Sequence, residues 1–293
     1  VSTRHPDRVT EVHRDGLVLD VLDEGPLDGD PVVLLHGFPE RATCWRSVAP
    51  LLHAQGLRTF ALDQRGYSPR ARPRGRRAYR VAELSADVAA LLDLLVGEPG
   101  PGGVRGQESK VHVVGHDWGA IVAWHVATTR PDLVRSLTAF SVPHPAAFVS
   151  SLVSSRQGLR SWYVGAFQLP GGAEWLAGRG TFERLLRRGG MSADEVARFR
   201  REILDDGALA GGLAWYRALP WTDREAARQQ VTVPTTMVWS DGDSFIDRGA
   251  VERCGRHVDA PYRLVVMPGV THWIPTQAPE PAAAAILARA EAS

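Results

Sequence analysis

The chain is poor in several residues that usually signal a function class. It has two cysteines, Cys44 and Cys254, in 293 residues. That is too few for a disulfide framework, and their spacing is not that of a metal site. Both are read as reduced thiols. Lysine is nearly absent: Lys110 is the single one, and arginine supplies the remaining positive charge. With abundant Ala, Gly and Pro, this bias reflects a GC-rich genome. No charge of one sign dominates, since the formal net charge is +1, so nothing points to nucleic acid. No apolar run reaches the roughly 18 residues of a membrane span. The opening Val1-Ser2-Thr3-Arg4-His5-Pro6 lacks the apolar centre of a signal peptide. A soluble cytoplasmic protein is expected, as a monomer or homodimer. With 44% hydrophobic residues, the chain can bury a large core and is not disordered.

Alternating stretches at Val9–His13 and Leu17–Leu22 flank Arg14-Asp15-Gly16, a hairpin signal. Pro31–Leu35, Arg58–Leu62, Val111–Val114, Leu133–Phe140, Val233–Trp239 and Tyr262–Met267 are short apolar runs typical of strands buried on both faces. Helical patterns over Ala42–Gln55, Val81–Val96, from Trp118, and over Ala282–Ala292 separate them. Alternating strands and helices predict an α/β fold with a mainly parallel, eight-stranded sheet covered on both faces. The alternation stops at Pro143-His144-Pro145. Residues 144–228, containing Trp162, Trp175, Trp215 and Trp221, read as an inserted helical cap between core segments 1–143 and 229–293. Within the cap, Leu185–Leu204 reads as helical around the start signal Ser192-Ala193-Asp194-Glu195. Residues 98–108 are rich in Gly and Pro and read as a flexible surface loop. The arginines at 65, 70, 72, 74, 76, 77 and 80 could bind phosphate, but a solvated loop is the expectation.

Gly115-His116-Asp117-Trp118-Gly119 lies between a strand and a helix. This Gly-x-nucleophile-x-Gly spacing is that of a nucleophile elbow, with Asp117 where Ser is usual. A carboxylate nucleophile suits displacement at saturated carbon, as in an epoxide or an alkyl halide. Two further residues follow at strand ends in the order such a site needs. His272, behind Pro268-Gly269, is the candidate base. Asp243 is the candidate acid, with Asp241 next and Asp247 also nearby. The backbone N–H groups of Trp118 and of Phe38, in His36-Gly37-Phe38-Pro39, are the candidate oxyanion hole.

His36-Gly37-Phe38-Pro39-Glu40, Gly115-His116-Asp117-Trp118-Gly119-Ala120 and His272 together resemble the α/β-hydrolase-fold epoxide hydrolases. Asp63-Gln64-Arg65-Gly66-Tyr67 is similar to that family's Asp-x-Arg-Gly-Tyr. Tyr163-Val164-Gly165-Ala166-Phe167-Gln168-Leu169-Pro170-Gly171 and Trp215-Tyr216-Arg217 are similar to the two cap stretches that carry the family's catalytic tyrosines. The resemblance runs from about residue 36 to 273. Two departures are visible: Arg41-Ala42-Thr43-Cys44 replaces the usual Ser-Trp, and the arginine-rich loop replaces Gly-x-Ser.

The resemblance implies that Asp117 attacks an epoxide while Tyr163 and Tyr216 protonate its oxygen. Two acidic hydroxyls suit a developing alkoxide, whereas a halide would want indole or amide N–H donors. The expected partners are a small epoxide and water, with no cofactor or metal. Trp162, Phe167, Trp215 and Trp221 are expected to line an apolar, partly aromatic pocket suited to an aryl or polycyclic epoxide. Rival readings are a haloalkane dehalogenase, an esterase or lactonase, and a non-catalytic ligand-binding protein of the same fold.

Overall fold

A computed structural model describes residues 7–97, 109–155, 157–169, 171–172, 174, 180–222 and 225–293. The glycine- and proline-rich stretch 98–108, Pro170 and Trp175 lie outside the described residues. The sheet has eight strands: β1 (Glu11–Arg14), β2 (Leu17–Glu24), β3 (Asp30–Leu35), β4 (Leu57–Leu62), β5 (Val111–His116), β6 (Val134–Phe140), β7 (Thr235–Ser240) and β8 (Tyr262–Met267). Their order is β1-β2-β4-β3-β5-β6-β7-β8. β1 and β2 form the antiparallel edge, and β3 to β8 run parallel. The turn Asp15-Gly16 has positive φ at both positions (51° and 76°), the geometry of a tight hairpin that follows the strand twist.

The period of two along each strand sorts its side chains between two cores. Val33, Leu35, Val113 and Met237 face the helices Val81–Val96 and Trp118–Thr129. Val32, Leu34, Val114 and Val238 face the opposite layer, which includes the C-terminal helix Pro279–Glu291. Burial on both faces explains why these strands read as unbroken apolar runs. Lys110 stands at the foot of β5, at the opposite end from the elbow.

Two expected helices are broken. Ala42–Gln55 is a 3-10 turn, Ala42–Trp45, followed by a short helix, Ala49–His53. Pro50 has no N–H to donate and is tolerated in the first turn of that helix, not in the middle of a longer one. Leu185–Leu204 is likewise divided. A helix Thr181–Arg188 ends at Gly189-Gly190, and a second starts at Ala193, where the Ser192 side chain accepts from the Glu195 N–H at 3.2 Å.

Between β6 and β7 the described residues form helices and turns and no strand. The first, Pro145–Ser154, packs on Arg248–Glu252 of the core. The later ones lie over the carboxyl ends of the parallel strands, where successive loops converge. The register Leu35↔Gly115 brings the loop after β3 beside the elbow. The register Ser240↔Met267 brings the loops after β7 and β8 together.

Candidate active site

Asp117 caps the helix Trp118–Thr129 with φ 52° and ψ −118°, a strained conformation for a residue with a side chain. The flanking glycines make it possible. A Cβ on Gly115 would lie 2.2 Å from the Gly119 carbonyl oxygen, and one on Gly119 would lie 2.2 Å from that of Leu35. Strand, elbow helix and β3 therefore touch backbone to backbone, and the Asp117 side chain is turned up into the site.

One carboxylate oxygen of Asp117, Oδ1, accepts from the Phe38 N–H at 2.8 Å. The other, Oδ2, lies 3.4 Å from His272 Nε2. His272 Nδ1 hydrogen-bonds Asp243 Oδ2 at 2.8 Å. Asp243 Oδ1 accepts from the N–H groups of Phe245 (2.7 Å) and Ile246 (3.0 Å). Asp241 is exposed and accepts from the Gly269 N–H, away from the imidazole. Asp247 caps the helix Arg248–Glu252. The geometry thus brings Asp117, His272 and Asp243 together and leaves the other two aspartates apart. The Phe38–Pro39 bond is cis.

Burial disfavours charge on Asp117, but the hydrogen bond and charge of His272, with His116 and the Phe38 N–H, more than offset it and hold its carboxyl below the usual range. Burial likewise disfavours a charged His272. The charge of Asp243 and the hydrogen bonds to Asp117 and Asp243 outweigh that, and the imidazole is pushed up to about 10.

Two helices of the segment between β6 and β7 carry the tyrosines. The helix Leu209–Arg217 settles on the loop after β4 through small residues: a Cβ on Gly211 would lie 2.2 Å from the Gly66 carbonyl oxygen. Trp215 anchors it, donating to the Arg65 carbonyl at 2.8 Å. This places Tyr216 edge-on against Trp118 (ring centroids 4.9 Å) and Phe38 (5.2 Å). The helix Trp162–Phe167 carries Tyr163, whose ring lies 6.1 Å from that of Tyr216. Gln168 donates to the Tyr216 carbonyl at 2.7 Å, and Arg217 to the Phe167 carbonyl at 3.0 Å, so the two helices are tied together. Burial first, then the charge of Asp117, raises both phenols above their ordinary value, so both are neutral donors.

Asp117, His272, Tyr163 and Tyr216 open onto one cavity of about 570 Å³. Phe38, Phe167, Phe182, Phe245 and Trp273 form much of its apolar wall, and Trp162 stands at it, 65% exposed. Two expected lining residues are elsewhere. Trp215 is buried behind Tyr216, where its N–H serves the Arg65 carbonyl. Trp221 lies outside the cavity, with the Arg77 guanidinium over its ring at 5.8 Å. An aromatic residue type in a helical segment does not say which side of its helix it occupies.

Ser141 lies outside every motif, and His116 and Glu40 lie inside motifs that assign them no role. Ser141 Oγ donates to the His272 carbonyl at 3.0 Å, and His116 Nε2 lies 2.9 Å from the same oxygen. Glu40 is buried 3.3 Å from the other nitrogen of His116. The departures from the resembled pattern also find places. Arg41 binds Asp63 and reaches the Glu202 carbonyl in the segment between β6 and β7, and Arg72 binds Asp206. Arg65 pairs with buried Asp87 at 2.7 Å, Arg70 with Glu11, and Arg80 with Glu83. Four of the seven arginines are therefore paired within the fold, and Arg74, Arg76 and Arg77 are exposed. Among the described residues no cluster of His, Cys, Asp or Glu could hold a metal ion, and no helix is long and apolar enough to cross a membrane.

A family model described as alpha/beta hydrolase fold matches residues 30–279. AB hydrolase superfamily protein YfhM of Bacillus subtilis is 34% identical over 92% of this chain and 92% of its own. Epoxide hydrolase A of Mycobacterium tuberculosis is 31% identical over 94% of this chain and 95% of its own. The crystal structure of Epoxide Hydrolase A from Mycobacterium thermoresistibile superposes with a TM-score of 0.78 at 27% identity, covering 96% of this chain and 97% of that one.

Proposed function

Since the chain belongs to the α/β-hydrolase fold family, within its epoxide hydrolases, we propose that it hydrolyses an epoxide to a vicinal diol through an ester on Asp117. The observation that carries this reading is the pairing of a carboxylate elbow with two neutral tyrosines across one apolar cavity. In the first step an Asp117 oxygen attacks an oxirane carbon. The ring C–O bond breaks, and the departing alkoxide takes a proton from Tyr163 or Tyr216. The low-dielectric cavity strengthens those hydrogen bonds as the negative charge develops.

In the second step His272 takes a proton from water, oriented through Asp243, and the resulting hydroxide attacks the ester carbonyl. The tetrahedral oxyanion is held by the N–H groups of Phe38 and Trp118. Collapse breaks the acyl C–O bond, the hydroxide's proton passes to the departing alkoxide, and the diol leaves with the Asp117 carboxylate regenerated and His272 protonated as at rest. Resting His272 is protonated, so it is not yet a base. Alkylation neutralises Asp117 and removes one of the two negative charges that hold the imidazole's proton, which then passes to the tyrosinate left by ring opening. Ester formation thereby turns the base on.

The phenylalanine-rich wall and the 570 Å³ volume support an aryl-substituted epoxide. Both cysteines are free and buried, which fits a cytoplasmic location. The decisive experiment is a single turnover in oxygen-18 water with a panel of aryl and aliphatic epoxides. The expected result is diol together with label in the Asp117 carboxylate. Diol formed with no label in Asp117 would mean that water attacks the epoxide directly.

A further inference from the structure

The helices between β6 and β7 reach the loop that carries Asp243 as well as the cavity. The short helix Gln157–Arg160 precedes the tyrosine-bearing helix Trp162–Phe167. Gln157 is fully buried. Its Nε2 donates to the Phe245 carbonyl at 2.8 Å and to Ser161 Oγ at 3.0 Å, and its Oε1 accepts from the Asp247 N–H at 2.7 Å. Arg160 donates from one guanidinium nitrogen to the Asp243 carbonyl at 2.6 Å and to the Ile246 carbonyl at 2.9 Å. Its Nε is 3.9 Å from Asp247. Three peptide groups of the loop after β7, those joining residues 243–244, 245–246 and 246–247, are thus held by these two side chains.

That loop is what fixes Asp243. Its Oδ1 is bonded to the N–H groups of Phe245 and Ile246, the same residues whose carbonyls Gln157 and Arg160 grip. Phe245 also fills the space between the two halves of the site, its ring 5.7 Å from Tyr163 and 5.0 Å from His272. A buried amide that satisfies one donor and one acceptor of a loop fixes that loop's orientation, because any displacement strands polar groups away from water.

We infer that Gln157 and Arg160 are positioning residues that set the Asp243 loop from the cap, so that one segment aligns both the Tyr163 donor and the His272–Asp243 pair. The inference rests on the epoxide reading for its kinetic consequence, though not for its structural one. Gln157→Met and Arg160→Met keep the side-chain bulk and remove the donors and acceptors. Each should slow hydrolysis of the Asp117 ester by about 10- to 100-fold, as a misaligned base does, so that ester accumulates in rapid-quench mass spectrometry. Alkylation should slow far less. Arg160→Lys, which retains one donor, should recover part of the loss.

A second measurement needs no substrate. The downfield proton resonance of the His272 Nδ1–Asp243 hydrogen bond in the resting protein should shift or broaden in both Met variants and return toward wild type in Arg160→Lys. Unchanged ester hydrolysis together with an unchanged resonance would overturn the inference, as would an equal fall in both half-reactions matched to a loss of folded protein. If the resonance responds while the wild type forms no ester from any epoxide, the epoxide reading fails and the positioning role stands.

Discussion

The two-step scheme makes a quantitative demand on His272. In the resting protein its imidazole titrates at about 10. Alkylation of Asp117 removes a charge 3.4 Å from Nε2. At an effective dielectric constant of about 20, that charge contributes about 5 kcal/mol, or between three and four decades of proton affinity. The imidazole of the ester intermediate should therefore titrate near neutrality. The test is a double-mixing experiment: load the enzyme with excess epoxide at one pH, then jump the ester to a series of pH values. Ester decay, followed by quench and mass spectrometry, should rise with pH and level off near neutrality. Alkylation, which does not use His272 as a base, should vary little between pH 6 and 9. If ester decay instead keeps rising until pH 10, the Asp117 charge does not control the base and the reasoning is wrong. His272→Gln gives the endpoint, a stable ester at every pH.

The tyrosines should separate from the base. Tyr163→Phe and Tyr216→Phe should each slow alkylation by about 10- to 1000-fold, with ester decay within a few-fold of wild type in rapid-quench traces. Gly119→Ala forces a Cβ to 2.2 Å from the Leu35 carbonyl. It should destabilise the fold by about 3 kcal/mol or more in urea titrations, and a wild-type midpoint would contradict the close approach. Arg72→Met breaks a partly exposed pair with Asp206, in the segment between β6 and β7, so unfolding free energy should fall by about 1 kcal/mol or less, with the difference shrinking in 0.5 M salt. Burial depresses His112 to about 4 and His144 to about 3. Both are neutral in the folded protein, while the unfolded chain takes up protons near pH 6.5. Their stabilising contribution is complete above that pH and is lost as pH falls toward 4, so urea midpoints should drop across this window, and less steeply in His112→Asn.

The core of the fold was readable because its determinants are local. A strand buried on both faces is an unbroken apolar run, and Val81–Val96 is a helix with the bounds its pattern implies. The elbow was readable for the same reason, since two glycines four residues apart have one steric meaning there. Chain order and strand ends single out His272 and Asp243, and the fold places His272 between Asp243 and Asp117. What is set by distant partners was not readable. Nothing near Gln157 says that its amide meets Asp247, ninety residues on. Trp215 and Trp221 are both aromatic residues of the segment between β6 and β7, and only packing shows that one anchors a helix and the other lies under an arginine. The breaks at Pro50 and Gly189-Gly190 were written in the chain, but the apolar periodicity around them masked the interruption.

The position of Lys110 has a practical consequence. It is the chain's single lysine and stands at the foot of β5, while Asp117 follows the strand's other end. Six residues of strand put roughly 20 Å of rigid backbone between them. Amine-directed chemistry has no other lysine to modify, so a fluorophore or a resin attached there sits at the end of β5 away from the elbow. Apart from the amino terminus, an immobilised molecule would be tethered at this one point, with its cavity mouth facing away from the support.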